Sequence, residues 1–109
     1  MDRRISYRNL PQLFLKAREE LLCHFRPIIN HFGLTEQQWR VLRVLAERGR
    51  QDASEVAAQA NILAPSLTRM IRAMSERGLI IRSRDDGDGR RVLLELAPPG
   101  EALVRAISP

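Results

Sequence analysis

Four polar side chains, Ser66, Thr68, Arg69 and Arg72, crowd one short stretch and fall off the apolar series Leu67, Met70, Ile71 and Met74. On a helix this spacing places hydroxyls and guanidinium forks together on the face opposite the apolar one. Hydroxyls suit phosphate, and arginine forks suit either phosphate or the acceptor edge of guanine. The plain alternative is the polar face of any surface helix. A second cluster, Asp85, Asp86, Asp88, Arg90 and Arg91, sits in a Gly-rich turn with no apolar residue to bury. Asp88 and Arg90, two apart, are placed to pair across such a turn and aim the arginine. An aimed arginine on a narrow ribbon suits the minor groove of A·T-rich DNA. The competing reading is a solvated turn, in which three carboxylates oppose phosphate.

No Ser-His-Asp, His-x-x-His or phosphate-loop glycine pattern occurs, and His24 and His31 are separated by Pro27. The sequence therefore points to no enzyme, no catalytic residue, no cofactor and no metal site. Cys23 is the only cysteine, which excludes an internal disulfide framework and a cysteine-based zinc site and fits a reducing compartment, the cytoplasm. With no stretch of 18 apolar residues and no apolar run behind Arg3 and Arg4, neither a membrane span nor a secretion signal is expected.

The charge supports a nucleic-acid partner. The net charge is +5, and of the 18 basic residues all but Lys16 are arginine, the residue whose rigid fork binds phosphate bidentately. At 109 residues the chain has the length of one domain, 1–109, and enough bulk for a core without staples.

These residues need elements to hold them. Leu10, Phe14, Ala17, Leu21, Phe25, Ile28 and Phe32 recur every three or four positions and predict a first helix over 9–32, capped by Asn9, kinked or split by Pro27 and stopped by Gly33. Thr35 and Gln38 have capping-box spacing for a second helix lined by Trp39, Leu42 and Leu45. Asp52 and Glu55 repeat it for a short third helix that breaks at Asn61. Pro65 opens a fourth, which ends at Gly78. Leu79 to Arg84 and Val92 to Leu96 predict a hairpin. After the interruption at Pro98, Pro99 and Gly100, Glu101 to Ile107 begins another helix. The fold class expected is a mainly α winged helix-turn-helix with a small two-stranded antiparallel wing, its core formed by Leu42, Leu45, Leu67, Ile71 and Met74.

At this level of detail the chain resembles the MarR-type winged-helix transcription regulators. Gly33-Leu34-Thr35 with Gln38 and Trp39 resembles the opening of that family's second helix. Ser66-Leu67-Thr68-Arg69, Gly78-Leu79-Ile80 and Asp88-Gly89-Arg90-Arg91, with Leu96 and Gly100, resemble its recognition helix and wing. Asn9-Leu10-Pro11, Ala17-Arg18-Glu19 and His24-Phe25-Arg26-Pro27 look most like the subgroup that regulates homoprotocatechuate and related aromatic-acid degradation. Two positions depart from the pattern, since Ala64 stands where a capping serine is usual and Ala97 replaces a common threonine.

The resemblance implies a DNA-binding repressor acting as a homodimer on a pseudo-palindromic operator. Ser66, Thr68, Arg69, Arg72, Asp88, Arg90 and Arg91 would contact DNA, and 9–32 would form part of the dimerisation region. Family members continue into further dimerisation helices beyond the point where this sequence stops. The subgroup implies release by a small hydroxylated aromatic carboxylic acid held by Arg18 and His24, with Trp39 as a pocket wall. Trp39 also reads as a core aromatic, and Arg18 and His24 as ordinary flank residues. Two other functions stay open: an oxidant sensor through Cys23, and a protein-interaction winged helix without DNA binding.

Overall fold

A computed structural model describes residues 9–85, 87 and 89–108. The elements in order are α1 (Leu10–His31), α2 (Glu36–Arg48), β1 (Gln51–Asp52), α3 (Ala53–Ala60), α4 (Ala64–Glu76), β2 (Ile80–Arg84), β3 (Val92–Leu96) and α5 (Pro98–Ile107).

Three of the helices close by the same device. The residue after the last turn is left-handed, at Gly33 (φ 73°), Asn61 (φ 57°) and Gly78 (φ 75°). The next residue then donates its N–H back across the turn, Leu34 to Ile29, Ile62 to Ala57 and Leu79 to Met74. This pairing satisfies the orphan carbonyls of each helix end. It also drives Leu34, Ile62 and Leu79 into the core, where all three are buried. At the start of α2, the Thr35 hydroxyl accepts from the Gln38 N–H while the Gln38 side chain accepts from the Thr35 N–H, the reciprocal box that the spacing predicts. Asp52 caps α3 through the N–H and hydroxyl of Ser54.

Leu42, Leu45, Leu67, Ile71 and Met74 lie in one buried cluster with Val41, Val56, Leu94 and Ile107. Helix α4 thus turns its apolar side inward, as its period requires. Helix α5 docks against the sheet at Gly100, where a β carbon would stand 2.1 Å from the Leu79 carbonyl oxygen. Only glycine permits that approach.

Several sequence expectations change. The wing belongs to a three-stranded sheet of order β1-β3-β2, because Gln51 and Asp52 pair with Leu94 and Leu93. A strand of two residues has no period to read. Pro27 neither splits nor ends α1, which runs through it at the expense of one backbone hydrogen bond. Asn9 occupies the cap position of α1 but makes no side-chain cap. Pro98 and Pro99 do not interrupt the chain but open α5, where their missing N–H groups would have been unpaired anyway. The cap position of α4 is Leu63, with Ala64 already inside the helix, so neither side chain can cap it.

Helix α1 differs from the rest. Its stripe of Phe14, Leu21, Phe25 and Ile28 faces solvent, with Phe14 at 74% and Leu21 at 63% exposure. The helix reaches the core through Ile29, buried, and Phe32, half-buried.

Candidate nucleic-acid interface

Helices α3 and α4, joined by the left-handed turn at Asn61, form the helix-turn-helix. Burial of Leu67, Ile71 and Met74 rotates the opposite face of α4 outward, so that Thr68, Arg69 and Arg72 are exposed and Ser66 is half-buried. The Thr68 hydroxyl donates to the Ala64 carbonyl at 3.0 Å, which leaves its oxygen lone pairs outward. Arg72 rests on Glu76, Nε to Oε1 3.4 Å, an exposed i, i+4 pair of small energetic weight. Among the described residues Arg69 makes no hydrogen bond or ion pair.

The wing carries the second cluster. Its tip is shaped by the Asp85 carboxylate accepting from the Gly87 N–H at 2.9 Å and by Arg84 donating to the Gly89 carbonyl at 2.8 Å. Arg90 is exposed in the turn. Asp88, expected to direct it, lies outside the described residues, as does Asp86.

Arg91 occupies a different position from the one its neighbour suggests. Its Nε donates to Asp52 at 3.0 Å, and its Nη1 lies 3.3 Å from Asp85. Asp52 is also the cap of α3. One carboxylate therefore ties the base of the wing to the first helix of the helix-turn-helix. The Ser54 hydroxyl and N–H, then Arg91, hold the Asp52 carboxyl below the usual carboxylate range, because each stabilises the charged form. Arg91 in turn is held above its ordinary value by Asp52. Arg91 thus straps the base of the wing to the α3 cap while its side chain stays 45% exposed.

A cleft of about 370 Å³ lies beside α2, lined by Arg18, Glu36, Trp39, Arg40, Arg43 and Gln59 among others. Its size is that of a small-ligand site. Trp39 is a buried core aromatic at 8% exposure that also lines this cleft. Arg18 reaches the cleft but is paired with Glu36, so an entering anion would compete with that carboxylate. His24 is not brought to it. It lines a separate shallow groove with Lys16, Glu19, Glu20, Cys23 and Arg26, because six residues of helix turn it about 120° from Arg18.

Sequence reasoning missed Arg40 and Arg43. The Arg43 guanidinium lies 5.8 Å from the centre of the Trp39 ring, and Arg40 Nε is buried without a hydrogen-bond partner. Trp39 and Arg43 at i, i+4 were the available signal, since that spacing stacks side chains on one helix face. Cys23 is exposed. Among the described residues no group of His, Cys, Asp and Glu is placed to hold a metal ion, and no helix is long and apolar enough to cross a membrane.

Residues 34–92 match the MarR family. The chain is 45% identical over 93 residues to the HTH-type transcriptional regulator FarR of Neisseria gonorrhoeae, covering 85% of this chain and 64% of FarR. It is 43% identical over 95 residues to the homoprotocatechuate degradative operon repressor of Escherichia coli, covering 87% and 64% respectively. The chain thus spans 64% of the length of these relatives. The crystal structure of NadR in complex with 4-hydroxyphenylacetate superposes with a TM-score of 0.85 at 40% identity, over 98% of this chain and 74% of NadR.

Proposed function

The chain belongs to the MarR family, whose members are transcription regulators and not enzymes, and from that premise we propose that it represses its target genes by binding operator DNA as a homodimer in the cytoplasm. The observation that carries the reading is the outward face of α4, where Arg69 stands exposed and unpaired beside Thr68 and Arg72. An unpaired guanidinium on a helix whose other face is locked in the core is suited to a major-groove guanine or phosphate. Arg90 at the wing tip would enter the minor groove, and Asp88 would orient it. The exposed stripe of α1 supplies the apolar surface that a second copy would cover, and twofold symmetry of such a dimer implies a pseudo-palindromic site.

The same account includes an effector. A small hydroxylated aromatic carboxylate would bind the cleft beside α2, its ring against Trp39 and its carboxylate toward Arg40 and Arg43, with Arg18 exchanging Glu36 for the ligand. Two observations support this chemistry: the buried, unpartnered Arg40 Nε, and the three arginines of the lining, of which Arg18 is paired with Glu36 and Arg43 with Glu47 at 2.6 Å, partners that a ligand carboxylate would replace. NadR, similar over nearly the whole chain, binds 4-hydroxyphenylacetate. Binding that favours a subunit spacing unsuited to DNA must weaken the operator complex by linkage, and a coupling of about 1 to 3 kcal/mol changes affinity roughly 5- to 150-fold.

Trp39 is the single tryptophan, so its fluorescence reports on the cleft directly. Titration with 4-hydroxyphenylacetate should change the emission, raise the melting temperature and weaken duplex binding, and Arg43→Ala should abolish all three. If none of a panel of aromatic acids produces these changes, or if Arg43→Ala and Arg18→Ala leave them intact, the effector assignment fails while the DNA reading stands.

A further inference from the structure

Among the described residues, two side-chain ties of polar character join α1 and the turn that closes it to the rest of the fold. One is the Arg18–Glu36 pair. The other comes from the far end of the recognition helix. Arg77 is the residue that closes α4, and its side chain reaches across to the end of α1, Nη1 donating to the Gly33 carbonyl at 2.8 Å and Nη2 to the Phe32 carbonyl at 3.2 Å. The partners lie 44 and 45 residues apart in sequence, so nothing local imposes the contact.

The chemistry of the contact is specific. The Phe32 carbonyl, at the cap position of α1, lies at the negative end of that helix's dipole, which favours a cation there, and the Gly33 carbonyl follows it in the closing turn. A guanidinium delivers two parallel N–H groups from one rigid plane, so two bonds fix an orientation as well as a distance. Gly33 presents its carbonyl from a left-handed turn (φ 73°), a conformation that most side chains resist. Thus the residue that closes α4 is clamped to the turn that closes α1. Helix α1 bears the exposed apolar stripe, and α4 bears Arg69, Thr68 and Arg72.

We propose that Arg77 is a positioning residue that locks the recognition helix to α1 and thereby sets which spacing between operator half-sites the protein accepts. The inference rests on the reading above, in which two copies joined through α1 address two half-sites. In such a dimer the separation of the two α4 helices must match about one helical turn of DNA, or a multiple of it. Any looseness between α1 and α4 blurs that match. Arg77 removes the looseness at the point where the two helices end.

The test measures spacing discrimination. Duplexes recovered by the protein from a random library supply the preferred site, and two derivatives carry one base pair more or one fewer between the half-sites. The parent should prefer its selected spacing by about tenfold or more, the scale of one mismatch in a specific site. Arg77→Ala should reduce that preference to less than about threefold while retaining contacts to each half-site. Arg77→Lys, which keeps the charge but not the fork, should fall between. A role confined to stability would lower the melting temperature and weaken all three duplexes equally, leaving the ratio unchanged, and that result overturns the proposal. Should the alanine variant fail to fold, as judged by circular dichroism, the lysine variant carries the same comparison. If the parent binds no duplex, or binds all spacings alike, the dimeric DNA reading fails first and this inference with it. If the parent discriminates and both variants discriminate equally well, the reading survives and Arg77 is not the lock.

Discussion

Helix α1 and the helix-turn-helix with its wing use similar residue types in opposite ways. In the second region Leu67, Ile71, Met74 and Leu94 are all at 5% exposure or less, and α3, α4 and the sheet are tied by backbone closures and by Asp52 and Arg91. In α1 an equally regular apolar stripe points outward, with Phe14 and Leu21 mostly exposed. A period of three to four residues therefore says that a helix has an apolar face and not what covers it. The helix-turn-helix and wing are stabilised from within one chain. The α1 stripe is left uncovered by the described residues, and on the proposed reading a second copy would cover it.

That contrast can be broken by substitution. Leu42→Ala, at a site with 0% exposure, removes methylenes from the shared core and should cost about 2 to 5 kcal/mol, read by denaturant unfolding. Gly100→Ala comes next. A β carbon 2.1 Å from the Leu79 carbonyl oxygen forces α5 off the sheet, and the expected loss of about 1 to 3 kcal/mol outweighs the helix propensity that alanine adds. A thermal melt unchanged or raised by this substitution would mean that α5 is not docked as described.

Asp52→Ala removes the α3 cap and the wing strap together, and loss of the cap alone should cost about 1 kcal/mol. The pH dependence has a definite sign. Because the folded protein holds the Asp52 carboxyl below its ordinary value, this contribution is fully present above the unfolded-chain value of about 3.9 and is lost as pH falls through the folded one. The gap between parent and variant should stay constant near neutrality and close in acid; a gap that widened in acid would contradict the strap. The smallest effect belongs to α1. In dilute solution Phe14→Ala should change unfolding by less than about 0.5 kcal/mol, yet weaken self-association in sedimentation. A loss like that of Leu42→Ala would erase the contrast.

Much of the fold was legible because its signals are local. Thr35 and Gln38 gave the capping box by spacing, Gly33, Asn61 and Gly78 marked three helix ends, and the inward face of α4 followed from its period. The misses share a physical cause, which is dependence on distant partners or on position within an element. Arg91 looks like Arg90 in the sequence, and its pairing with Asp52, 39 residues away, has no local sign. Arg77 has no local pattern at all, since its acceptors are carbonyls in the turn that closes α1. Pro98 and Pro99 read as breakers because proline stops a helix in its interior and not in its first turn. In the cleft, Trp39 and Arg18 were visible as types, but which flank of α1 faces α2 depends on Ile29 and Phe32 seating in the core. That rotation leaves His24 in another groove.

The most direct test of the account titrates duplex DNA, selected by the protein itself, against the parent, Arg69→Ala and Arg90→Ala across a range of salt. Arg69 and Arg90 should each prove necessary for tight binding. Loss of Arg90 should flatten the dependence of log affinity on log salt by about one charge, and loss of Arg69 should also relax the preference for one base in each half-site, at about 1 to 3 kcal/mol. If both variants bind as tightly as the parent with the same salt slope, the surface formed by α4 and the wing is not where this protein meets DNA.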